Sequence, residues 1–225
     1  QKLADLVQGK PGVTDLEHHY DHIAATQWIH TPSAIQAAEI LNIGGEGEVP
    51  GPKILDLGGG SAVWSCAMAH KDAAATITVV DHQRAIDAAR VMAESIGLAQ
   101  RFDSIAGNPI SVELPEAAFD LVLIAQRMNA LGAEAAGRLL GQAIGATRSG
   151  GRIVVIDLFR GPAKPNLAEC VEALKLELDT SEGKMRDLKE AQKELADAGL
   201  TGVQFTFLAA SRVNMGLMVA VKPAQ

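Results

Sequence analysis

The chain has 225 residues, with 20 basic and 27 acidic side chains and a formal net charge of −7. That length accommodates one sizeable domain, or one domain plus a short arm, with room for a core. A hydrophobic content of 48% is too high for disorder, no apolar run approaches the roughly 18 residues of a membrane span, and the acidic balance argues against nucleic acid or an anionic membrane as partner.

The first 45 residues read as helical, over Leu16 to Trp28 and Pro32 to Leu41, and lead into a Gly/Pro-rich linker from Gly44 to Pro52. Residues 1–45 are therefore expected as a helical connector and 46–225 as the main domain. Lys53 to Leu57 is a short apolar run stopped by Gly58-Gly59-Gly60, a buried strand entering a tight turn. Ser61 to His70 has helical character. Thr76 to Asp81 is a β-branched strand followed by a helix from Arg84 to Ile96, and Phe102 to Ala106 a third strand before Gly107-Asn108-Pro109. Phe119 to Ala125 is a fourth strand, Gly132 to Thr147 a helix, and Arg152 to Leu158 a fifth strand. Strands separated by helices of this length imply crossovers and a parallel sheet covered on both faces. After a charged helix near Lys184 to Ala198 come Val203 to Leu208 and Leu217 to Val221. The short loop between them holds no crossover helix, so they form an antiparallel hairpin at a sheet edge. The expected fold is α/β, a Rossmann-like doubly wound sheet of seven strands, mostly parallel, with a C-terminal antiparallel hairpin.

Cys66 and Cys170 lie far apart in helix-like stretches without metal-ligand spacing, and are expected as reduced thiols of a cytoplasmic protein. The chain opens on Gln1 without a signal pattern, so an upstream segment is expected to have been removed.

In an open parallel sheet, ligands bind beyond the carboxyl ends of the strands. Gly58, Gly59 and Gly60 sit there, and glycine lets a ligand lie against the backbone. Asp81 ends the second strand, where an acid accepts hydrogen bonds from the ribose hydroxyls of an adenosine-containing cofactor. A dinucleotide fingerprint wants a third glycine where this chain has Val63. Asp56, two residues before the loop, suits an ammonium or sulfonium better than a pyrophosphate, directly or through water. The cofactor is expected to be cationic and phosphate-free.

The run Ile54-Leu55-Asp56-Leu57-Gly58-Gly59-Gly60-Ser61 resembles motif I of class I S-adenosylmethionine-dependent methyltransferases. Asp81, the Gly107-Asn108-Pro109 turn, Phe119 to Leu123 and Ser149 to Asp157 follow in that family's order and spacing. The closest subgroup is the small-molecule O-methyltransferases, which carry an N-terminal dimerisation domain, a helical connector and a catalytic domain. The resemblance spans about Leu3 to Pro223 and implies S-adenosyl-L-methionine as cofactor, S-adenosylhomocysteine as product, a small-molecule substrate and a homodimer in the full-length protein. It implies that Asp56, Gly58 and Gly60, with Gly59 between them, hold the methionine end, Asp81 the ribose, and Gly107, Asn108 and Pro109 the adenine. Asn108 replaces the family's usual Asp, and His82 is a candidate cover for one adenine face. Ala125, Gln126 and Arg127 stand near cofactor and substrate.

Plant members of the subgroup use a His after the fourth strand as base. Here Asn129 occupies that position, and an Asn accepts no proton near neutral pH. Three readings stay open: an acidic acceptor that needs positioning only, with Asn129 and Arg127 in attendance; a base from the connector, where His18, His19 and His22 are candidates and His22 the first choice; or a domain that keeps the cofactor without transferring its methyl. An NAD-dependent oxidoreductase is a further alternative, opposed by the missing glycine and the hairpin. His18 and His22 share a helix face at a spacing zinc ligands also use, yet no third ligand is marked, so no metal is expected. Trp28 and Tyr20 suit a planar acceptor's pocket or simple packing, Trp64 suits the core, and Glu190 matches the family's base-orienting Glu with no His to orient.

Overall fold

The computed structural model describes residues 4, 7, 8, 25–161 and 164–224. Its strands are β1 (Lys53–Leu57), β2 (Thr76–Asp81), β3 (Phe102–Ala106), β4 (Phe119–Ala125), β5 (Thr147–Asp157), β6 (Thr201–Phe207) and β7 (Gly216–Val221). They form one seven-stranded sheet in the order β3-β2-β1-β4-β5-β7-β6. The first five are parallel, and β7 runs antiparallel to both neighbours. The hairpin thus lies at one edge as its short loop requires, but its second arm, not its first, pairs with β5. The fifth strand also starts earlier than its apolar run, because Thr147 pairs with Phe119 before the register shifts at Leu121.

Alternation along the buried strands divides the core in two. Ile54, Ile77, Leu121, Leu123, Val154 and Ile156 face α1 (Thr31–Ile40), α2 (Val63–Lys71) and α3 (Gln83–Ser95). Leu55, Leu57, Val122, Ile124, Ile153 and Val155 face α4 (Ala133–Ala146) and α6 (Leu188–Asp197). The expected boundary at 45/46 falls in the turn after α1, whose Ala34, Ala37 and Ala38 are fully buried in the same core as α2. Small side chains on that face let the two helices approach closely. Pro32 starts α1, where its missing N–H breaks no helical bond. Most of the helix expected over Leu16 to Trp28 lies outside the described residues, and its end is a 3₁₀ turn, Gln27–His30. A further helix, α5 (Leu167–Asp179), begins with a capping box between Asn166 and Glu169 and arches over the carboxyl ends of the strands.

At the end of α2 far from the glycine loop, Arg101 closes the helix. Its Nη1 donates to the carbonyls of Ala69 at 2.9 Å, Asp72 at 2.8 Å and Ala75 at 2.9 Å. Arg101→Met leaves those acceptors without their cation and should lower the unfolding free energy by about 2 kcal/mol, read as a lower urea midpoint at unchanged slope.

Candidate functional site

The turn after β1 is built on close backbone approach. Gly58 and Gly60 have φ of +75° and +59°, in the left-handed region. Gly59 passes over the side chain of Asp56, and a Cβ there would lie 2.7 Å from the carboxyl carbon. Gly58 N–H donates to Val80 O at 2.8 Å, and Gly60 N–H to Asp81 Oδ2 at 3.0 Å. Gln27 clamps the loop from outside: its Oε1 accepts from Ser61 N at 2.6 Å and Ser61 Oγ at 2.7 Å, and its Nε2 donates to Gly59 O at 3.3 Å.

Asp56 is fully buried beneath this turn. Its Oδ2 accepts from Ser65 Oγ at 2.6 Å, and its Oδ1 has no hydrogen-bond partner among the described residues. Burial pushes its carboxyl up to about 7, against the Ser65 hydrogen bond and with help from the nearby Asp81 charge. The same burial, with Asp56 adding to it, pushes the Cys66 thiol up to about 12, while Cys170 is exposed; both are free thiols. Asp81 ends β2 with its Oδ1 accepting from His82 N at 2.8 Å. Arg127 lies across Gly58 and brings its Nη2 to 3.9 Å from Asp81 Oδ1.

The loop opens on a cavity of about 420 Å³. Gly58 and Gly60 line one end. Ala125, Gln126, Arg127 and Asn129 come from the end of β4, Asp157 and Leu158 from the end of β5, and His30 from the 3₁₀ turn before α1. The opposite wall is α5, with apolar Ala173 and Leu176 beside Glu172 and Lys175, and it is completed by Met185, Val213 and Met215. An apolar slot with a few polar groups suits a small planar organic molecule.

Asn129 is wholly engaged. Its Nδ2 donates to Asp157 Oδ1 at 2.9 Å and to Leu158 O at 2.6 Å, and its Oδ1 accepts from Arg186 N at 3.1 Å. Its backbone N–H donates to Asp157 Oδ2 at 3.0 Å, and its carbonyl accepts from Lys184 N at 2.9 Å. Arg186, buried, donates to Met128 O and Glu194. Asn129 therefore ties the turn after β4 to the segments that follow β5 and precede α6, which pair at Phe159–Arg160 and Arg186–Asp187. Asp157, whose carboxyl burial pushes up to about 6 against three hydrogen bonds and the Arg186 charge, sits at the centre of that tie.

The other expected site residues divide by position. Gly107 N–H donates to Asp81 O at 3.0 Å, so the Gly107-Asn108-Pro109 turn adjoins the acid. Asn108 is exposed, its Oδ1 accepting from Ile110 N at 3.2 Å. His82 is half-buried at the start of α3. These residues lie beyond the cavity's walls, as do Asp56 and Gly59 beneath it. His18, His19, Tyr20 and His22 lie outside the described residues. Trp28 is largely exposed and donates to Ala25 O, Trp64 is fully buried, and Glu190 is exposed. Gln27 and His30 were not legible as site residues, since only the fold brings them to the loop.

Residues 26–201 match the O-methyltransferase domain family. A candidate O-methyltransferase of Nostoc punctiforme PCC 73102 superposes with a TM-score of 0.82 at 21% identity, over 99% of this chain and 66% of that one. An O-methyltransferase family 2 protein of Planctomyces limnophilus DSM 3776, in complex with apigenin, gives 0.78 at 22% identity over 92% and 60%. Human N-acetylserotonin methyltransferase, in complex with SAM, gives 0.72 at 20% identity over 92% and 55%. The chain thus spans less than two thirds of each of these structures. No curated protein sequence matches it. Sheet order, glycine loop and cavity define a Rossmann-like domain of methyltransferase type. The chain belongs to the O-methyltransferase domain family.

Two outcomes test this geometry. Both buried carboxyls hold a proton more tightly folded than unfolded, so their contribution is complete below the unfolded value of 3.8 and is lost as pH rises through about 6 and about 7. Asp56→Asn should flatten its share of that decline, up to roughly 1.4 kcal/mol per pH unit, in urea unfolding followed across the window. Asn129→Ala should lower stability by about 3 kcal/mol, because it strips partners from buried Asp157 and Arg186.

Proposed function

We propose that this chain is the catalytic domain of an S-adenosylmethionine-dependent O-methyltransferase. It would transfer a methyl group to a hydroxyl of a small, aromatic or polyketide-like acceptor, by positioning rather than by a base after β4, in a protein that is a homodimer at full length. One observation carries the reading: a glycine turn floored by a buried acid, one of whose oxygens has no partner among the described residues, opens on the same cavity that α5 walls with apolar side chains.

The residues fit that cofactor, which carries an ammonium and a sulfonium but no phosphate. Gly58 and Gly60 offer backbone without side chains, and Asp56, which a neighbouring cation draws toward its ionised form, supplies negative charge from beneath the turn. Asp81 keeps lone pairs for ribose hydroxyls once Arg127 moves off Gly58. His82 and the Gly107-Asn108-Pro109 turn would take the adenine, with Asn108 Oδ1 offering its second lone pair to the exocyclic amine. Bound there, the cofactor supplies an electrophilic methyl on a positively charged sulfur. The acceptor's oxygen would have to face that methyl. The work of the chain is then to hold that oxygen close and in line. Arg127, which lines the cavity, would add a cation to the acceptor's surroundings once freed from Gly58.

The full engagement of Asn129 also fits the second reading, a domain that binds the cofactor without transferring its methyl. Calorimetric titration with S-adenosylmethionine, S-adenosylhomocysteine and NAD should give micromolar binding of the first two and none of the third. Gly58→Val should abolish that binding, since it puts a branched side chain on a left-handed backbone at φ of +75°, on the surface the cofactor would lie against. Binding of NAD alone, or silence with both adenosyl compounds, would overturn the proposal. Binding without turnover across a phenol panel would favour the second reading.

A further inference from the structure

A directional chain of hydrogen bonds ends in the cavity, and the methyl-transfer scheme leaves it without a role. Trp64 is fully buried, and its indole N–H, which can only donate, reaches Gln126 Oε1 at 3.4 Å. That contact turns the amide nitrogen of Gln126 toward His30, with the two Nε2 atoms 3.2 Å apart. An amide nitrogen only donates, so His30 Nε2 must accept, and the proton of the neutral ring resides on Nδ1. Burial holds the imidazole below its ordinary range; of the charged groups acting on it, Glu172 of α5 opposes that shift and Lys175 of α5 assists it.

The chain of bonds is rigidly mounted. Gln126 has φ of +56°, unusual for a residue with a side chain, and its N–H donates to Ile156 O at 2.6 Å. The His30 ring stacks on Trp64 with centroids 5.9 Å apart and planes 22° from parallel. His30 lines the cavity, and its Nδ1 has no hydrogen-bond partner among the described residues. The lone pair that a base would need faces Gln126, while the ring's N–H is left uncommitted.

We infer that His30 binds the acceptor as a hydrogen-bond donor, presenting Nδ1–H to the oxygen of an acidic hydroxyl held as its anion. This rests on the methyltransferase reading and specifies its acceptor class, phenols and enols acidic enough to ionise near neutral pH. The hydroxyl proton leaves to water when the acceptor binds, so the transfer itself needs no protein base. The low-pH limb of the reaction then follows the acidity of the acceptor and not that of a side chain.

Nitrogen-15 spectra of the histidine rings, with His30 assigned by its loss in His30→Asn, should show a neutral Nδ1–H ring at neutral pH; an Nε2–H ring would overturn the inference. Acceptor affinity is read by titrating apigenin, 4-nitrophenol and 4-hydroxybenzaldehyde into protein saturated with S-adenosylhomocysteine. His30→Phe, which keeps a ring but has no donor, should weaken acceptor binding about 10-fold or more, the equivalent of one hydrogen bond to a charged group. His30→Asn, whose amide N–H stands near the place of Nδ1, should recover most of that loss and keep the wild-type pH profile. Equal loss of turnover in both variants, with a pH limb fixed at one value for every acceptor, would make His30 a base and sink the donor role. Wild-type binding of S-adenosylhomocysteine but of none of the three phenols would overturn the acceptor class alone. Failure to bind S-adenosylhomocysteine would overturn the methyltransferase reading beneath it.

Discussion

A carboxylic acid shut away from water beneath a side-chain-free turn is the constraint on which the site depends. Gly59 can cross Asp56 only because it has no Cβ, and that crossing places Gly58 and Gly60 where their N–H groups meet Val80 and Asp81. The turn thereby locks the ends of β1 and β2 together. Ala62, at φ of +59°, then starts α2, whose Ser65 reaches back to Asp56. One buried acid organises the loop, the helix after it and the neighbouring strand. Such a group is costly in an apolar surrounding unless something answers it, and the single Ser65 hydrogen bond answers only one of its two oxygens.

Across the cavity, polar groups are settled in the opposite way. Asn129, Asp157 and Arg186 satisfy one another almost completely, and this network holds three chain segments that the main sheet leaves unconnected. Asn129, expected at the base position after the fourth strand, is a structural knot. Arg127, over the glycine turn beside Asp81, and His30, on its rigid mount, line the same cavity.

Much of this was readable from the sequence, for local reasons. The runs of β1, β2 and β3 are closed by Gly58, Asp81 and Gly107, and β4 is an apolar run that stops at the polar Gln126-Arg127, so β1 to β4 fall where the sequence puts them. The glycine turn and Asp81 carry a spacing that only a strand–turn–helix unit explains. What could not be read depends on distant partners. Gln27 grips a loop 32 residues away, and His30 meets Gln126 across 96 residues; neither Gln27 nor His30 sits in a local pattern that announces a ligand. Asn129 could be recognised as no base, yet its attachment to Asp157 and Arg186 is a property of the folded turn. The role of α5 escaped for a related reason: Leu167, Val171, Leu174 and Leu178 recur at helical spacing as in a core-facing helix, yet none of its residues is buried, and that it walls a cavity depends on the fold.

The position of β7 bears on how the domain is made. Val221 belongs to a strand flanked on both sides, and β6, synthesised earlier, has no sheet partner except β7. During translation the sheet therefore waits for nearly the last of these residues, with β5 holding an open edge and β6 unpaired until then. Pairings between β5 and β7 span 59 to 69 residues, from Asp157–Gly216 to Arg152–Val221, which slows their formation. A ribosome that stops short of residue 216 would release a chain missing an inner strand and carrying an unpaired edge, a form suited to aggregation and not to mild fraying.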